Sequence, residues 1–325
     1  QYSDNLCSEM QRVLTKTTGA TYADQGLFVG RYDTVLAHFF LTGSMKLGKK
    51  ALSNLEENLV GMATPWDRRL RGEIVAQQGE VLGDALWERY KDAFEGLYLQ
   101  RISPTRAFGD ILFLEQLSEE RPLVADLFMD DLGRANLRLY QLGNALLTDT
   151  LPVLGNFGLV VQNQFADTIR PNAGESLTID TFRLLCDDPS KLMACREHLL
   201  RAIEAVFSGK IQDDGLNRLV VGATLSWEQT DLFRAYLGYN RQLGRSFSPE
   251  RTVEILLNQV ELVQGLWTLF NTRFDPTIGN SRRKRFEAAG LAVSKGLKEI
   301  NDRDEDRLFR SLADLIQGSL RTNFY

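Results

Sequence analysis

The chain has 325 residues, 43% hydrophobic and 25% charged, the balance of an ordinary globular protein with room for two or three domains. A formal net charge of -5 gives no electrostatic case for nucleic acid or an anionic membrane. No run of about twenty apolar residues is present to span a bilayer, and three scattered cysteines (Cys7, Cys186, Cys195) suit a reduced, cytoplasmic setting better than a disulfide framework.

The first segment, Ser3–Gly19, reads as a helix with Leu6, Met10, Val13 and Leu14 inward. Gly26–Arg31 and Thr34–Thr42, joined at Tyr32-Asp33, carry the β-branched and aromatic pattern of a hairpin. Lys49–Met62 returns to helical spacing on Leu52, Leu55, Leu59 and Met62. Helix–strand–strand–helix is most of a split βαβ, ferredoxin-like unit, so residues 1–64 are expected to form such a module without its first strand. From Pro65 to about Leu127 the pattern is helical throughout, which defines a helical segment over residues 65–133.

A second module is expected over residues 134–208. Asn136–Leu142 alternates as a strand, Thr148-Asp149 caps a helix running to Leu154, and Asn156–Gly158 turns the chain into the strand Leu159–Phe165. Ser176–Leu185 makes a third strand, and Lys191–Phe207 is one amphipathic helix. Residues 209–325 are helical: Asn217–Thr224, a hairpin within Ser226–Pro276, Arg282–Lys298 and Asp304–Phe324. The hairpin has the clearest signals in the chain. Ser226 and Gln229 fit a capping box, and Leu232, Phe233, Tyr236, Leu237, Tyr239 and Leu243 follow at helical spacing. A second helix starts at Ser248-Pro249 and buries Val253, Leu256, Leu257, Val260, Val263, Trp267 and Phe270. The fold class is therefore α+β and predominantly helical, with two small α/β modules separated and followed by helical bundles.

Chemistry is sparse. No G-x-G-x-x-G or Walker A sequence occurs, and the glycines of Gly155–Gly158 follow a helix, where a C-cap explains them. The two histidines, His38 and His198, lack metal-ligand spacing, and Ser8, Ser44 and Ser226 lack a base. Cys195 lies on an inward stripe, as a core residue does. The carboxylate clusters Asp130-Asp131, Asp187-Asp188, Asp213-Asp214 and Asp302–Asp306 sit at element boundaries, where capping accounts for them. Two places keep a functional reading. The turn Gly143–Asp149 offers backbone N–H groups and a helix N-terminus to a carboxylate, with Gly143, Asn144, Thr148 and Asp149 as candidate effector contacts. Capping alone is the competing explanation there. The basic run Arg282, Arg283, Lys284 and Arg285 opposes the dipole of its helix, so it is a candidate contact for an acidic partner, against a merely solvated face.

Three stretches carry a family resemblance. They are DDGLNRLVVGATLSWEQTDLFRAYLGYNRQLG with FSPERTVEILLNQ and LFNTRFDP, then LTDTLPVLGNFGLVVQNQFADTIRPN, and the ending NDRDEDRLFRSLADLIQGSLRTNFY. From about Pro65 to Tyr325 they resemble the region upstream of the catalytic domain in the large, single-chain bacterial NAD-dependent glutamate dehydrogenases. The resemblance implies that both α/β modules are of the amino-acid-sensing ACT type. It also implies that the parent oxidises L-glutamate to 2-oxoglutarate with NAD, and that the catalytic and NAD-binding domains lie beyond Tyr325. On this reading the chain is a piece of a longer one, cut at Gln1 and Tyr325, with no cofactor of its own. Its partners are its own catalytic domain, other subunits of a homo-oligomer and possible amino-acid effectors, not nucleic acid or membrane. A stand-alone effector-binding protein and a purely structural scaffold stay open as alternatives.

Overall fold

The computed structural model describes residues 4–29, 35–43, 45–143, 146–172, 174, 176–244 and 247–325. It divides into two units, residues 1–112 with 170–174 and residues 113–169 with 175–325. The expected Tyr32-Asp33 turn and Asn144 lie outside the described residues.

In the first unit, α1 (Asp4–Thr18) leads into an antiparallel pair, β1 (Tyr22–Val29) and β2 (Val35–Thr42), followed by α2 (Lys49–Ala63). The helix–hairpin–helix expectation holds. Then come α3 (Trp66–Tyr90), α4 (Leu97–Arg101) and α5 (Pro104–Leu114). Gly79 leaves the helical conformation at φ 78°, ψ 171°, so α3 is two helical arms. A Cβ on Gly83 would stand 2.9 Å from the Val75 Cα, so only glycine lets the arms approach this closely. The far arm ends in an aromatic column. Phe94 stacks on Tyr98 at 4.8 Å and on Tyr90 at 6.2 Å, Trp66 meets Phe94 edge-on, and the Tyr98 hydroxyl donates to Asp110 at 2.7 Å.

The second unit begins with a strand that periodicity missed. β3 (Leu123–Met129) pairs with β4 (Ala135–Leu142), correcting the reading of this stretch as helical to Leu127. Its run LVADLFM is almost continuously apolar, a pattern that a buried strand and a buried helix share. After α6 (Leu147–Asn156), β5 (Val160–Ile169) and β6 (Leu177–Leu185) complete a four-stranded antiparallel sheet in the order β3-β4-β6-β5. β4-α6-β5-β6 reproduces the split βαβ arrangement. β3, arriving from the N-terminal side, fills the outer position beside β4, so the module is a circular permutation of the ferredoxin-like order. Leu139, Leu137, Phe182, Leu154, Leu199 and Ile203 form its dry layer between sheet and helices.

The expected single helix 191–207 is two, α7 (Pro189–Ala194) and α8 (Arg196–Phe207), because Cys195 departs from helical angles. A 3-10 turn (Gly215–Asn217) and α9 (Arg218–Gly222) lead to α10 (Trp227–Gln242), which opens with the capping box. Ser226 Oγ accepts from Gln229 N–H at 3.3 Å and Gln229 Oε1 from Ser226 N–H at 3.0 Å. The second hairpin helix is also two, α11 (Pro249–Asn258) and α12 (Val260–Phe274). Asn258 and Gln259 at the break donate their amides to the buried Glu305 carboxylate at 3.0 and 2.7 Å, an interaction with no sequence signature. Tyr239 and Leu243 are exposed and Trp267 is half-buried, whereas Phe233, Leu256, Val263 and Phe270 are fully buried. The stripe is therefore narrower than its periodicity. α13 (Arg282–Glu299) and α14 (Arg303–Gly318) close the helical core. α14 stops at Gly318, short of the expected Phe324. The tail folds back so that Phe324 meets Trp267 at 5.4 Å and Phe270 at 5.5 Å.

Candidate functional site

The turn after β4 is built around Gly143, whose φ of 72° suits glycine. Its N–H donates to the Ser176 carbonyl at 2.8 Å and its carbonyl accepts from Thr178 Oγ1 at 2.6 Å. Both backbone groups of Gly143 are thus committed to the neighbouring strand. α6 starts before the expected Thr148-Asp149 cap. Leu146 is its N-cap, and the Leu146 carbonyl accepts from Asp149 N–H at 3.0 Å. Thr148 and Asp149 therefore do not cap the helix; both are exposed in its first turn, 3.4 Å apart through Oγ1 and Oδ1. No side chain caps α6.

The basic run divides. Arg282 turns back onto the end of α12 and donates to the carbonyls of Arg273, Asp275 and Ile278. The Arg273 and Asp275 carbonyls are the negative end of α12, which explains a cation at the start of α13 without any partner. Arg283 pairs with Glu287 at 2.9 Å on the open surface. Lys284 and Arg285 are exposed, and their side chains have no hydrogen-bond or ionic partner among the described residues.

The cysteines do not present a nucleophile. Burial pushes the Cys195 thiol up, and its Sγ donates to the Leu192 carbonyl at 3.2 Å. Burial, then Asp187 and Asp188, raises Cys186 as well.

A cleft of about 510 Å³ lies in the second unit, reached by α6, the 3-10 turn, α10, α11 and α14. Its anchor is Arg234 on α10. The guanidinium donates to both oxygens of Asp214 at 2.8 and 3.0 Å, to Asp231 at 2.7 Å and to Asn217 Oδ1 at 3.0 Å. Burial works against its charge, but the Asp214 and Asp231 carboxylates outweigh it and hold the pKa above the ordinary arginine value. Asp214 also caps the 3-10 turn by accepting from Leu216 N–H at 3.0 Å, as boundary capping anticipated. Asn240 lies buried in the wall, its Oδ1 accepting from Ser311 Oγ at 2.6 Å. Arg218, Arg241 and Glu250 also line the cleft, and their side chains have no partner among the described residues. Sequence reasoning missed this site because its residues come from positions 156 to 308 and share no motif.

A permuted ferredoxin-like module set among helical bundles defines the class: a small α/β domain of the ACT kind on a helical scaffold. The comparisons with known proteins agree. Residues 73–117 match glutamate dehydrogenase helical motif 2, residues 125–196 the glutamate dehydrogenase ACT3 domain, and residues 211–276 glutamate dehydrogenase helical motif 3. The chain is 28% identical over 333 residues to the NAD-specific glutamate dehydrogenase of Halomonas elongata, an alignment that takes in 100% of the chain and 20% of that relative. Identity is 29% to the NAD-specific glutamate dehydrogenase of Mycobacterium tuberculosis (82% of the chain, 17% of the relative) and 30% to that of Pseudomonas aeruginosa (84% and 17%). The chain carries helical-motif and ACT3 sequence of the NAD-specific glutamate dehydrogenases and spans about a fifth of the length of the relatives it matches. Among the described residues no helix is long and apolar enough to cross a membrane.

Proposed function

We propose that this chain is the regulatory and assembly region of a cytoplasmic NAD-dependent glutamate dehydrogenase and does no chemistry itself. The observation that carries this reading is the run of matches to helical motif 2, ACT3 and helical motif 3 within one alignment covering a fifth of a dehydrogenase. The parent reaction, L-glutamate with NAD and water to 2-oxoglutarate, ammonia and NADH, is then run by domains that this chain positions. NAD is the parent's cofactor and is not held here. The partners are the catalytic domain and the other subunits of a homo-oligomer. Two faces suit them: the basic pair Lys284 and Arg285, and the edge strand β5, half of whose residues are exposed. An amino-acid effector at Gly143, Asn144, Thr148 and Asp149 is the weaker part of the reading, since Gly143 spends its hydrogen bonds on Ser176 and Thr178.

The test is direct. By calorimetry the chain alone should show no saturable NAD binding, and it should produce no NADH from glutamate. Either activity would overturn the assignment. In the full-length dehydrogenase, Lys284→Glu with Arg285→Glu should weaken assembly, read by sedimentation. Unchanged assembly would confine these two residues to a solvated surface and favour the stand-alone effector-binding alternative.

A further inference from the structure

We propose that residues 319–325 are a releasable strap, latched onto α12 by its last two rings. The strap starts from a fixed point. Ser319 caps α14 with its N–H on the Leu315 carbonyl. Its hydroxyl donates to that same carbonyl at 2.8 Å and lies 2.8 Å from the Tyr236 hydroxyl of α10. The next four residues are loosely held. Leu320 is 88% exposed and residues 321–323 are exposed as well. Among the described residues, the one hydrogen bond made by the main chain of 320–325 is local, from Phe324 N–H to Thr322 Oγ1 at 3.1 Å.

What holds the strap is its end. Phe324 packs on Trp267 at 5.4 Å and on Phe270 at 5.5 Å, Tyr325 stacks on Phe270 at 6.4 Å, and the Tyr325 hydroxyl donates to Asn271 Oδ1. Trp267, Phe270 and Asn271 stand three and four residues apart, so one face of α12 receives all of these contacts. Phe270 is the hub, buried and also touched by Tyr236 and Phe274. This face is thus a docking site for an extended segment that carries two adjacent aromatic residues, and the chain fills it with its own. Undocking breaks ring contacts and one side-chain hydrogen bond, but no main-chain hydrogen bond to the helical core. Its free energy therefore lies below that of global unfolding, as a local opening does. Once freed, the six residues after Ser319 reach about 20 Å, whereas the latched strap keeps Tyr325 on α12. On the reading that this chain positions the domains of a longer dehydrogenase, the latch sets how closely whatever lies beyond Tyr325 is held to the helical core. That consequence alone rests on the proposed function.

Arg321 makes release measurable, because trypsin cuts after it only when the exposed stretch can leave the surface, and cleavage then tracks the population of the open form. The 325-residue chain is digested under native conditions and the cut after Arg321 is followed by mass spectrometry. Phe324→Ala should speed this cut by about tenfold or more, since one aromatic contact contributes up to about a factor of ten to an equilibrium constant beyond its buried area. Tyr325→Phe, which loses only the hydroxyl, should give a smaller rise, and Thr322→Ala, remote from α12, little change. The same chains labelled with 5-fluorotryptophan give four fluorine resonances, one for each tryptophan. Phe324→Ala should move the Trp267 resonance, assigned with Trp267→Phe, and leave the other three in place. Cleavage no faster in Phe324→Ala and Tyr325→Phe than in wild type would overturn the proposal. So would displacement of all four resonances, which would make the tail part of the cooperative core. None of these measurements uses glutamate or NAD, so their failure is distinct from failure of the regulatory reading, which NADH production tests.

Discussion

Two regions of this chain are written in the same local code and come out differently. Residues 4–63 and residues 135–207 each place helices around a strand hairpin, yet the second buries its sheet and the first does not. In the module, β6 pairs with β4 on one side and β5 on the other, and β3, β4 and β6 are buried along almost their whole length. In the N-terminal region β1 and β2 have only each other among the described residues. Tyr22, Phe28, Leu36 and Phe40 line one face at 55–66% exposure. Cys7, Met10 and Leu55 are the only apolar side chains described as buried between Asp4 and Ala63. The added strands make the difference, because two strands alone cannot close a layer against helices.

The sharpest way to break the comparison is to remove a large side chain from the module. Phe182 is fully buried at the centre of the sheet, and Phe182→Ala should cost about 3–5 kcal/mol in urea unfolding. A cost near that of an exposed residue would mean that the two sheets are equally loose. Next is the tie between α8 and β3. Arg196 donates to the buried Asp126 carboxylate at 2.7 Å and to the Leu127 carbonyl at 2.8 Å. Arg196→Ala should cost about 1–3 kcal/mol, because it strips partners from a buried charge. The N-terminal counterpart is one neutral bond, Gln11 to the Ala23 carbonyl at 3.0 Å, and Gln11→Ala should cost about 1 kcal/mol or less.

The module's buried polar groups also give it a pH signature. Burial raises the Asp180 carboxyl above its ordinary value of 3.8, and Asp167 adds to this while the bond from Gln164 opposes it. Between the ordinary and the folded values the unfolded chain has released its proton and the folded chain has kept it. This residue's contribution to stability therefore falls as pH rises through that window. Asp180→Asn, close in shape and not titratable, should gain on wild type as pH rises from below 3.8 and then level off. Parallel stability curves would show that Asp180 is hydrated in the folded state.

How much of this could be read from sequence depends on which interactions set each element. Local signals survived. The capping box at Ser226, the Ser248-Pro249 start, and the stop at Gly158 with φ 77° all lie within a turn of the residues that create them. Features set by distant partners did not. β3 needed β4 to distinguish it from a helix, the break at Gln259 needs Glu305, and the end of α14 leaves a tail packed on Trp267 and Phe270. The same holds for sites. The basic run was visible, but its division into Arg282 as a helix cap and Lys284 and Arg285 as free charge was not. The cleft was invisible because Asp214 and Arg234 become neighbours only after the helices pack.

The smallest expected effect tests the other half of the comparison. On the open face of the hairpin, Phe28 pairs across with Leu36, and Asp24 with Phe40. Phe40 is 55% exposed, so Phe40→Ser removes little contact from the folded state and should change stability by no more than about 0.5 kcal/mol. The apolar surface such a substitution removes is water-facing in the folded and unfolded chain alike, which is why the hydrophobic gain nearly cancels. The measurement is urea unfolding of the chain, with amide exchange along β1 and β2 as the local readout. Exchange there should be faster than along β4 and β6, since two strands share one row of bonds while β6 holds two. A loss above about 1 kcal/mol, or protection in β1 equal to that in β6, would mean that this face is covered in solution. Tyr22, Phe28, Leu36 and Phe40 would then belong to a packed layer like that of the module, and the contrast between the two regions would disappear.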